Sequence, residues 1–254
     1  MVMVQTIFIG SKYKGKITAN KALIKFLEKN KFSKIILFAS VQFLDLNSFI
    51  SELKNNGIYV SKVTTKKRRK EFQILGCDIY LDNFLSKKEF FNSDAILYVG
   101  DGNFHPKAIT FLLLSLERIK PVLTFNPISN QFFVLNPKEI EKEIKFFERN
   151  IRIFINSKTV GIIGSTKFGQ QHINSMIKLK NYLESCNKKV YLFIGNEIKE
   201  DEFCNFNFID CWVNSACPRI STDNSSKIAI INMKEALNPA DYLEKLRNFL
   251  KKIN

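Results

Sequence analysis

KIILFASVQFLDLNSFISELKNNGIYV, residues 34–60, is the stretch whose reading decides the fold. Residues 34–41 (KIILFASV) are short, apolar and partly β-branched, the pattern of a strand buried on both faces. Residues 47–56 (NSFISELKNN) follow with helical spacing. Phe49, Ile50 and Leu53 share one face, Asn47 reads as the N-cap and Gly57 as the stop. A buried strand feeding directly into an amphipathic helix is the opening of a parallel α/β unit with right-handed crossovers.

The order recurs further along. TVGIIGSTKFGQQHINSMIKLKNYLESCNKKVYLF (159–193) repeats the strand, helix and strand of 34–60 with similar lengths, and FNSDAILYVGDGNFHP (91–106) is echoed by FNFIDCWVNSACPRIS (206–221). Setting Asp94 against Asp210 places Asp101 opposite Cys217. Further strands are expected at 94–99, 159–164, 189–195 and 208–214. Helices are expected at 106–118, opened by Pro106 where its missing N–H costs nothing, at 137–155 and at 171–185. A last helix opens at Asn238-Pro239, with Tyr242, Leu243, Leu246, Phe249 and Leu250 on its buried face. SKKE (86–89) fits a capping box for a short helix before the 94–99 strand. The predicted fold class is α/β: two similar domains, residues 1–135 and 136–254, each a small, mainly parallel sheet flanked by helices.

A chain of 254 residues with 45% hydrophobic content and 24 Phe supports a globular core rather than disorder. No apolar run approaches the ~20 residues that span a bilayer. The start, MVMVQTIFIGSKYKGK, lacks the order of a secretory signal, so Met1 reads as the natural start and the cytoplasm as the compartment. The five cysteines (Cys77, Cys186, Cys204, Cys211, Cys217) are odd in number, irregular in spacing and free of any C-x-x-C pair, which excludes a secreted disulfide framework and a zinc ribbon. The net charge of +15 allows recruitment of nucleic acid or an acidic partner. Most of the lysines fall on expected solvent faces, so solubility is the stronger reading. The densest cluster is TTKKRRKEF (64–72).

In open parallel sheets ligands collect beyond the carboxyl ends of the strands. Four segments are expected to reach such an edge: ILGCDIY around Cys77, VGDGNFHP (99–106), GSTKFGQ (164–170) and VNSACPR (213–219). Gly100 and Gly102 permit close approach of a ligand, and His105 reads as a ligand, a general acid or a helix cap. Ser165, Thr166, Lys167, Gly169 and Gln170 form a strand-to-helix turn suited to phosphate or carboxylate, and equally an ordinary turn. Cys77 and Cys217 each lie at an expected strand end beside Gly76 or Pro218. Two thiolates at a sheet edge suit a soft metal or an iron–sulfur cluster, although on spacing alone packed thiols remain the commoner case. Cys186 falls at a helix end and Cys211 within a strand, which reads as structural. Cys204 has no assigned place.

Taken together, FQILGCD, LYVGDGNFHPKAI, KPVLTFNP, GIIGSTKFGQ and VNSACPRISTDN resemble, in that order, the archaeal diphthamide-synthesis enzymes, the 2-(3-amino-3-carboxypropyl)histidine synthase family. The resemblance runs from about residue 5 to the end. It implies three similar α/β domains, each giving one cysteine to a 4Fe–4S cluster whose open iron binds S-adenosylmethionine. It further implies transfer of a 3-amino-3-carboxypropyl radical to a histidine of translation elongation factor two. Cys77 matches the middle domain's cysteine and Cys217 that of the last domain. The cofactor-lining loops match Gly100, Asp101, Gly102 and His105, and Ser165, Thr166, Lys167, Gly169 and Gln170. The family's first domain is without a counterpart here, so a separately encoded chain is expected to supply it and the third cysteine. The alternatives are a non-catalytic paralogue that stabilises or reduces a full-length sister subunit, and a basic RNA- or ribosome-binding module. The intact Cys77 and Cys217 weigh against the last, and neither a membrane nor nucleic acid is the expected partner.

Overall fold

The computed structural model describes residues 11–66, 70–102, 104–114, 116, 119–222 and 228–253, the side chains of Pro137 and Glu139 excepted. Most of the basic run at 64–72 is included, but residues 67–69 lie outside the described residues. The chain forms two compact units, Met1–Asn136 and Pro137–Asn254.

The first unit contains α1 (Lys21–Lys29), β1 (Lys34–Ala39), α2 (Asn47–Asn55), β2 (Tyr59–Ser61), α3 (Lys88–Asn92), β3 (Ala95–Val99), α4 (Phe104–Leu114), β4 (Val122–Asn126) and β5 (Gln131–Leu135). Its sheet runs β2-β1-β3-β4-β5, parallel except for β5, which is antiparallel to β4. Every residue of β3, and all but the first of β1, is buried. Such continuous burial needs cover on both faces. One face is closed by Leu23 and Leu27 of α1 and Phe49 and Leu53 of α2, packed on Ile35, Leu37 and Leu97. On the other, Phe38 meets Phe84 and Phe90 with ring centroids 5.8 and 6.2 Å away.

The second unit contains α5 (Glu141–Asn156), β6 (Thr159–Ser165), α6 (Ile173–Ser185), β7 (Lys189–Gly195), β8 (Cys211–Asn214), α7 (Arg219–Thr222), β9 (Ile230–Asn232), α8 (Met233–Leu237) and α9 (Pro239–Ile253). Its sheet runs β7-β6-β8-β9, parallel throughout. The ammonium end of the half-buried Lys188 donates to the carbonyls of Phe154, Ile155 and Ser157 at 3.1, 3.2 and 2.6 Å, closing the carboxyl end of α5. Among the described residues no helix is long and apolar enough to cross a membrane.

The two sheets share one register. Ile96 pairs with Val122 as Trp212 pairs with Ile230, and Lys34 pairs with Tyr59 as Thr159 pairs with Lys189. Ile35 pairs with Ala95 as Val160 pairs with Cys211, and Ala95 and Cys211 directly follow Asp94 and Asp210. Each aspartate performs the same task. Asp94 Oδ2 accepts from the backbone N–H groups of Ser33 and Lys34, both at 2.8 Å. Asp210 Oδ2 accepts from those of Lys158 and Thr159 at 2.9 and 2.8 Å.

Several local expectations differ. Asn47 does not cap α2: it is the first helical residue, and Leu46, buried at 2% exposure, occupies the cap position instead. Ser86 and Glu89 form no capping box, because α3 begins at Lys88 and Glu89 pairs with Lys34 at 3.2 Å. The helix expected at 106–118 begins earlier, at Phe104, and Pro106 still falls in its first turn. The hairpin of β4 and β5 goes unread in the sequence because Pro121 and Pro127 look like punctuation around it.

Replacing either aspartate should leave two backbone donors without their acceptor. Asp94→Ala and Asp210→Ala are each expected to lower stability by about 1–3 kcal/mol, measured as a shift in the urea midpoint. A change under about 0.5 kcal/mol, the size of an ordinary surface substitution, would remove the role assigned to them.

Candidate functional site

In the first unit the chain returns to the end of β1 after a long excursion. The Ala39 N–H donates to Phe72 O at 2.8 Å, and the Ile74 N–H donates to Ala39 O at 3.2 Å. This lays residues 72–74 against the last residue of β1 and carries the next turn beyond the sheet's carboxyl edge. That turn is Leu75-Gly76-Cys77-Asp78. Its ends are tied twice: Asp78 N–H to Leu75 O at 3.0 Å, and Leu75 N–H to Asp78 Oδ2 at 2.9 Å. Asp78 is fully buried, so the turn is anchored from below. Cys77 therefore sits in a tight turn, not at a strand end as its sequence context implies, and it is half-buried and outside any disulfide.

The neighbouring loop leaves β3. Gly76 lies flat against the Phe104 ring, where any β-carbon would collide. The Cys77 turn and the start of α4 are thus packed together. Between β3 and α4, Asp101 and Gly102 are exposed, and Gly102 takes φ +68°, a conformation that favours glycine. Tyr98, fully buried on β3, places its hydroxyl 3.1 Å from His105 Nδ1 with the rings stacked 5.6 Å apart. Burial pushes the Tyr98 phenol up to about 12, and the Asp101 carboxylate adds to the shift.

In the second unit β6 and β8 are paired neighbours, and the loops that follow them leave the same edge. After β6, Thr166 N–H donates to Gly195 O at 3.0 Å, Lys167 N–H to Ser165 Oγ at 3.1 Å, and Gln170 N–H to Lys167 O at 3.0 Å. Gly169 closes the turn at φ +79°. Lys167 Nζ is 3.9 Å from Glu197, an exposed pair of little strength. After β8, the buried Asn214 side chain holds the Cys217 turn. Its Nδ2 donates to Cys217 O at 2.8 Å and to Asn232 Oδ1 at 2.9 Å, and its Oδ1 accepts from Ala216 N–H at 2.9 Å. Ile220 N–H then donates to Cys217 O at 3.0 Å, leading into α7. Cys217 is half-buried, and Arg219, two residues on, is buried.

The structure therefore gathers Cys77 with Gly100, Asp101, Gly102 and His105 on one sheet edge. It gathers Cys217 with Ser165, Thr166, Lys167, Gly169 and Gln170 on the other. Each edge offers one accessible soft thiol beside polar, glycine-containing turns, a donor set suited to a soft metal centre with a polar small molecule beside it. Within neither unit are three or more His, Cys, Asp or Glu side chains placed to hold a metal ion among the described residues. The remaining thiols are of other kinds. Cys186 is the C-cap of α6 and is exposed, and Cys204 lies exposed in the short helix Glu200–Asn205. Cys211 is fully buried in β8, and burial pushes its thiol well above the usual range. Tyr98 and Asn214, which hold these loops, were missed in the sequence. The signal available was a polar group inside an otherwise apolar strand run, in LYVG and WVNS.

These placements set an order of thiol reactivity. Under native conditions a disulfide reagent should label Cys186 and Cys204 first, Cys77 and Cys217 more slowly, and Cys211 only on unfolding; peptide mapping over time reads the order. Asn214→Ala should release the Cys217 turn, raising Cys217 labelling severalfold and costing about 1–3 kcal/mol of stability. Unchanged labelling would show that Asn214 does not set the turn.

Known proteins resemble the chain in sequence and in fold. Residues 2–238 match the family model described as "Putative diphthamide synthesis protein". The chain is 31% identical over 215 residues to the 2-(3-amino-3-carboxypropyl)histidine synthase of Methanocaldococcus jannaschii, covering 82% of this chain and 57% of that one. It is 26% identical over 206 residues to subunit 1 of the Saccharomyces cerevisiae 2-(3-amino-3-carboxypropyl)histidine synthase, covering 79% of this chain and 46% of that one. Among solved structures, Dph2 from Pyrococcus horikoshii superposes with a TM-score of 0.67 at 22% identity, over 92% of this chain and 63% of that one. A second structure of Dph2, with a 4Fe–4S cluster, gives 0.67 at 21% identity, over 93% and 63%. The chain thus spans roughly half to three-fifths of the proteins it matches, and by the family model covering nearly all of its length it belongs to the diphthamide synthesis family.

Proposed function

We propose that this chain is a subunit of a 4Fe–4S synthase acting in the first step of diphthamide formation in the cytoplasm. It would transfer a 3-amino-3-carboxypropyl group from S-adenosylmethionine to a histidine of translation elongation factor two. On this reading residues 1–135 and 136–254 correspond to the middle and last of three family domains, Cys77 and Cys217 bind two irons, and a third thiolate comes from a separate polypeptide. The observation that carries the reading is that each unit holds one half-buried cysteine in a tied turn at its sheet's carboxyl edge. Each thiol has a polar glycine-containing loop beside it.

The chemistry of the residues fits such a group. Both thiols are half-buried and carried by turns whose backbones are already fixed, so ligation would order little further chain. Arg219, buried near the Cys217 turn, would offset the negative charge of a thiolate-bound cluster. When bound, a cluster with one iron lacking a protein ligand would supply the electron that breaks the Cγ–S bond of S-adenosylmethionine. The chain's own part is to hold and orient. The backbone amides around Ser165–Gln170 and the charge of Lys167 suit a carboxylate, and the turn at Gly100–Gly102 admits a ligand close to the backbone.

Reconstituted without oxygen, the isolated chain is expected to hold iron poorly, and with its partner to show the broad absorption of a 4Fe–4S cluster. Cys77→Ala and Cys217→Ala should abolish both cluster and transfer, while Cys186→Ala should at most cost stability. A full cluster in the isolated chain would overturn the shared-ligand reading, and full activity of Cys217→Ala in the complex would overturn the ligand assignment.

Lys167→Ala and Gln170→Ala should each weaken S-adenosylmethionine binding in the assembled complex about tenfold, roughly the worth of one charge-assisted hydrogen bond. Calorimetry showing unchanged affinity for both would reduce this loop to a turn.

A further inference from the structure

We infer that Tyr98 is a positioning residue: it fixes the tautomer of His105 so that Nδ1 accepts a hydrogen bond and Nε2 carries the ring hydrogen. The geometry begins with the strand. Tyr98 is the fourth residue of β3, whose pairing with both β1 and β4 fixes its backbone, and its side chain is fully buried. The hydroxyl lies 3.1 Å from His105 Nδ1. The two rings stack with only 21° between their planes, and Phe104 meets the imidazole edge-on at 5.4 Å and 89°. The imidazole is therefore clamped on a face and at an edge.

The direction of the hydrogen bond follows from the phenol's surroundings. Burial keeps the proton on the Tyr98 oxygen at any physiological pH. A phenol is a strong donor and a weak acceptor, so its proton is directed to the basic atom within reach, His105 Nδ1. A neutral imidazole that accepts at Nδ1 carries its hydrogen at Nε2. Turning the ring over would set carbon against the buried hydroxyl and leave it unsatisfied, a costly exchange.

Gly100 belongs to the same device. A β-carbon there would collide with the hydroxyl end of Tyr98. Glycine is thus required at 100 for the phenol to reach across to His105, besides any closeness to a ligand. His105 Nε2 is consequently a donor and not an acceptor. Where the Gly100–His105 loop binds S-adenosylmethionine, which rests on the reading proposed above, His105 would donate to a carboxylate or ribose oxygen and would not ligate iron.

The test is long-range 1H–15N spectroscopy of the imidazoles in the full chain. There are only two histidines in the sequence, and His172→Gln assigns His105 by elimination. The wild-type spectrum should show an unprotonated Nδ1 and a protonated Nε2 for His105. Tyr98→Phe, which keeps the ring stack, should give a mixture of tautomers and weaken S-adenosylmethionine binding about five- to tenfold, the worth of one hydrogen bond. A wild-type Nδ1–H, or a His105 spectrum unmoved by Tyr98→Phe, overturns the inference. The wild-type measurement decides the tautomer even if Tyr98→Phe fails to fold. Affinity is read in the assembled complex: if the tautomer is as expected and S-adenosylmethionine does not bind the wild-type complex, the cofactor reading of the loop falls and the positioning by Tyr98 stands. Equal affinity of wild type and Tyr98→Phe overturns the functional consequence drawn for His105.

Discussion

Two carboxylates set the registers on which both candidate edges depend. Asp94 and Asp210 each grip a pair of backbone N–H groups where the neighbouring strand begins. Parallel strands rise about 3.3 Å per residue, so fixing the pair at its entry fixes which residues emerge at its exit. A slip of one residue would turn every side chain to the opposite face. Tyr98 would then face away from His105, and Asn214 away from the Cys217 turn. Chemistry at the carboxyl edge is thereby specified by hydrogen bonds at the amino edge. The two aspartates also explain why the repeat was detectable. They are polar residues of fixed role just before an apolar strand, and aligning them sets the central pairing of one sheet, Ile35 with Ala95, on that of the other, Val160 with Cys211.

What could be read directly was whatever depends on local pattern. β1, β3, β6 and β7 announce themselves as apolar, β-rich runs, and the glycines and prolines around 100–106 and 164–170 mark loops at strand ends. The harder features depend on distant partners. β5 is largely exposed, with Phe133 and Val134 at 46% and 40%, so it lacks the alternation of a half-buried strand. β9 has three residues, too few for any period. Asn47 has the composition of a cap, but the burial of Leu46 sets the start of α2. The turn carrying Cys77 is placed by backbone bonds to Ala39, more than thirty positions away, which no spacing rule reports.

The repeats share an edge and a steering device but not a cysteine position. The residue equivalent to Cys217 is the exposed Asp101, and the thiol of the first unit arrives on a separate connection that is folded back against β1. Yet the fifth residue counted from each clamping aspartate is, in both units, a buried polar group that controls the loop beyond it. Asn214 does so at short range, holding the cysteine turn three residues on. Tyr98 does so at longer range, holding an imidazole seven residues on. A buried polar group at a strand's exit is costly unless satisfied, and here its satisfaction is what shapes the loop. The duplicated architecture therefore supplies a fixed edge with one rigid polar lever per sheet. The chemistry of each edge follows from what the lever holds: a thiol in one unit, an imidazole beside a separately delivered thiol in the other.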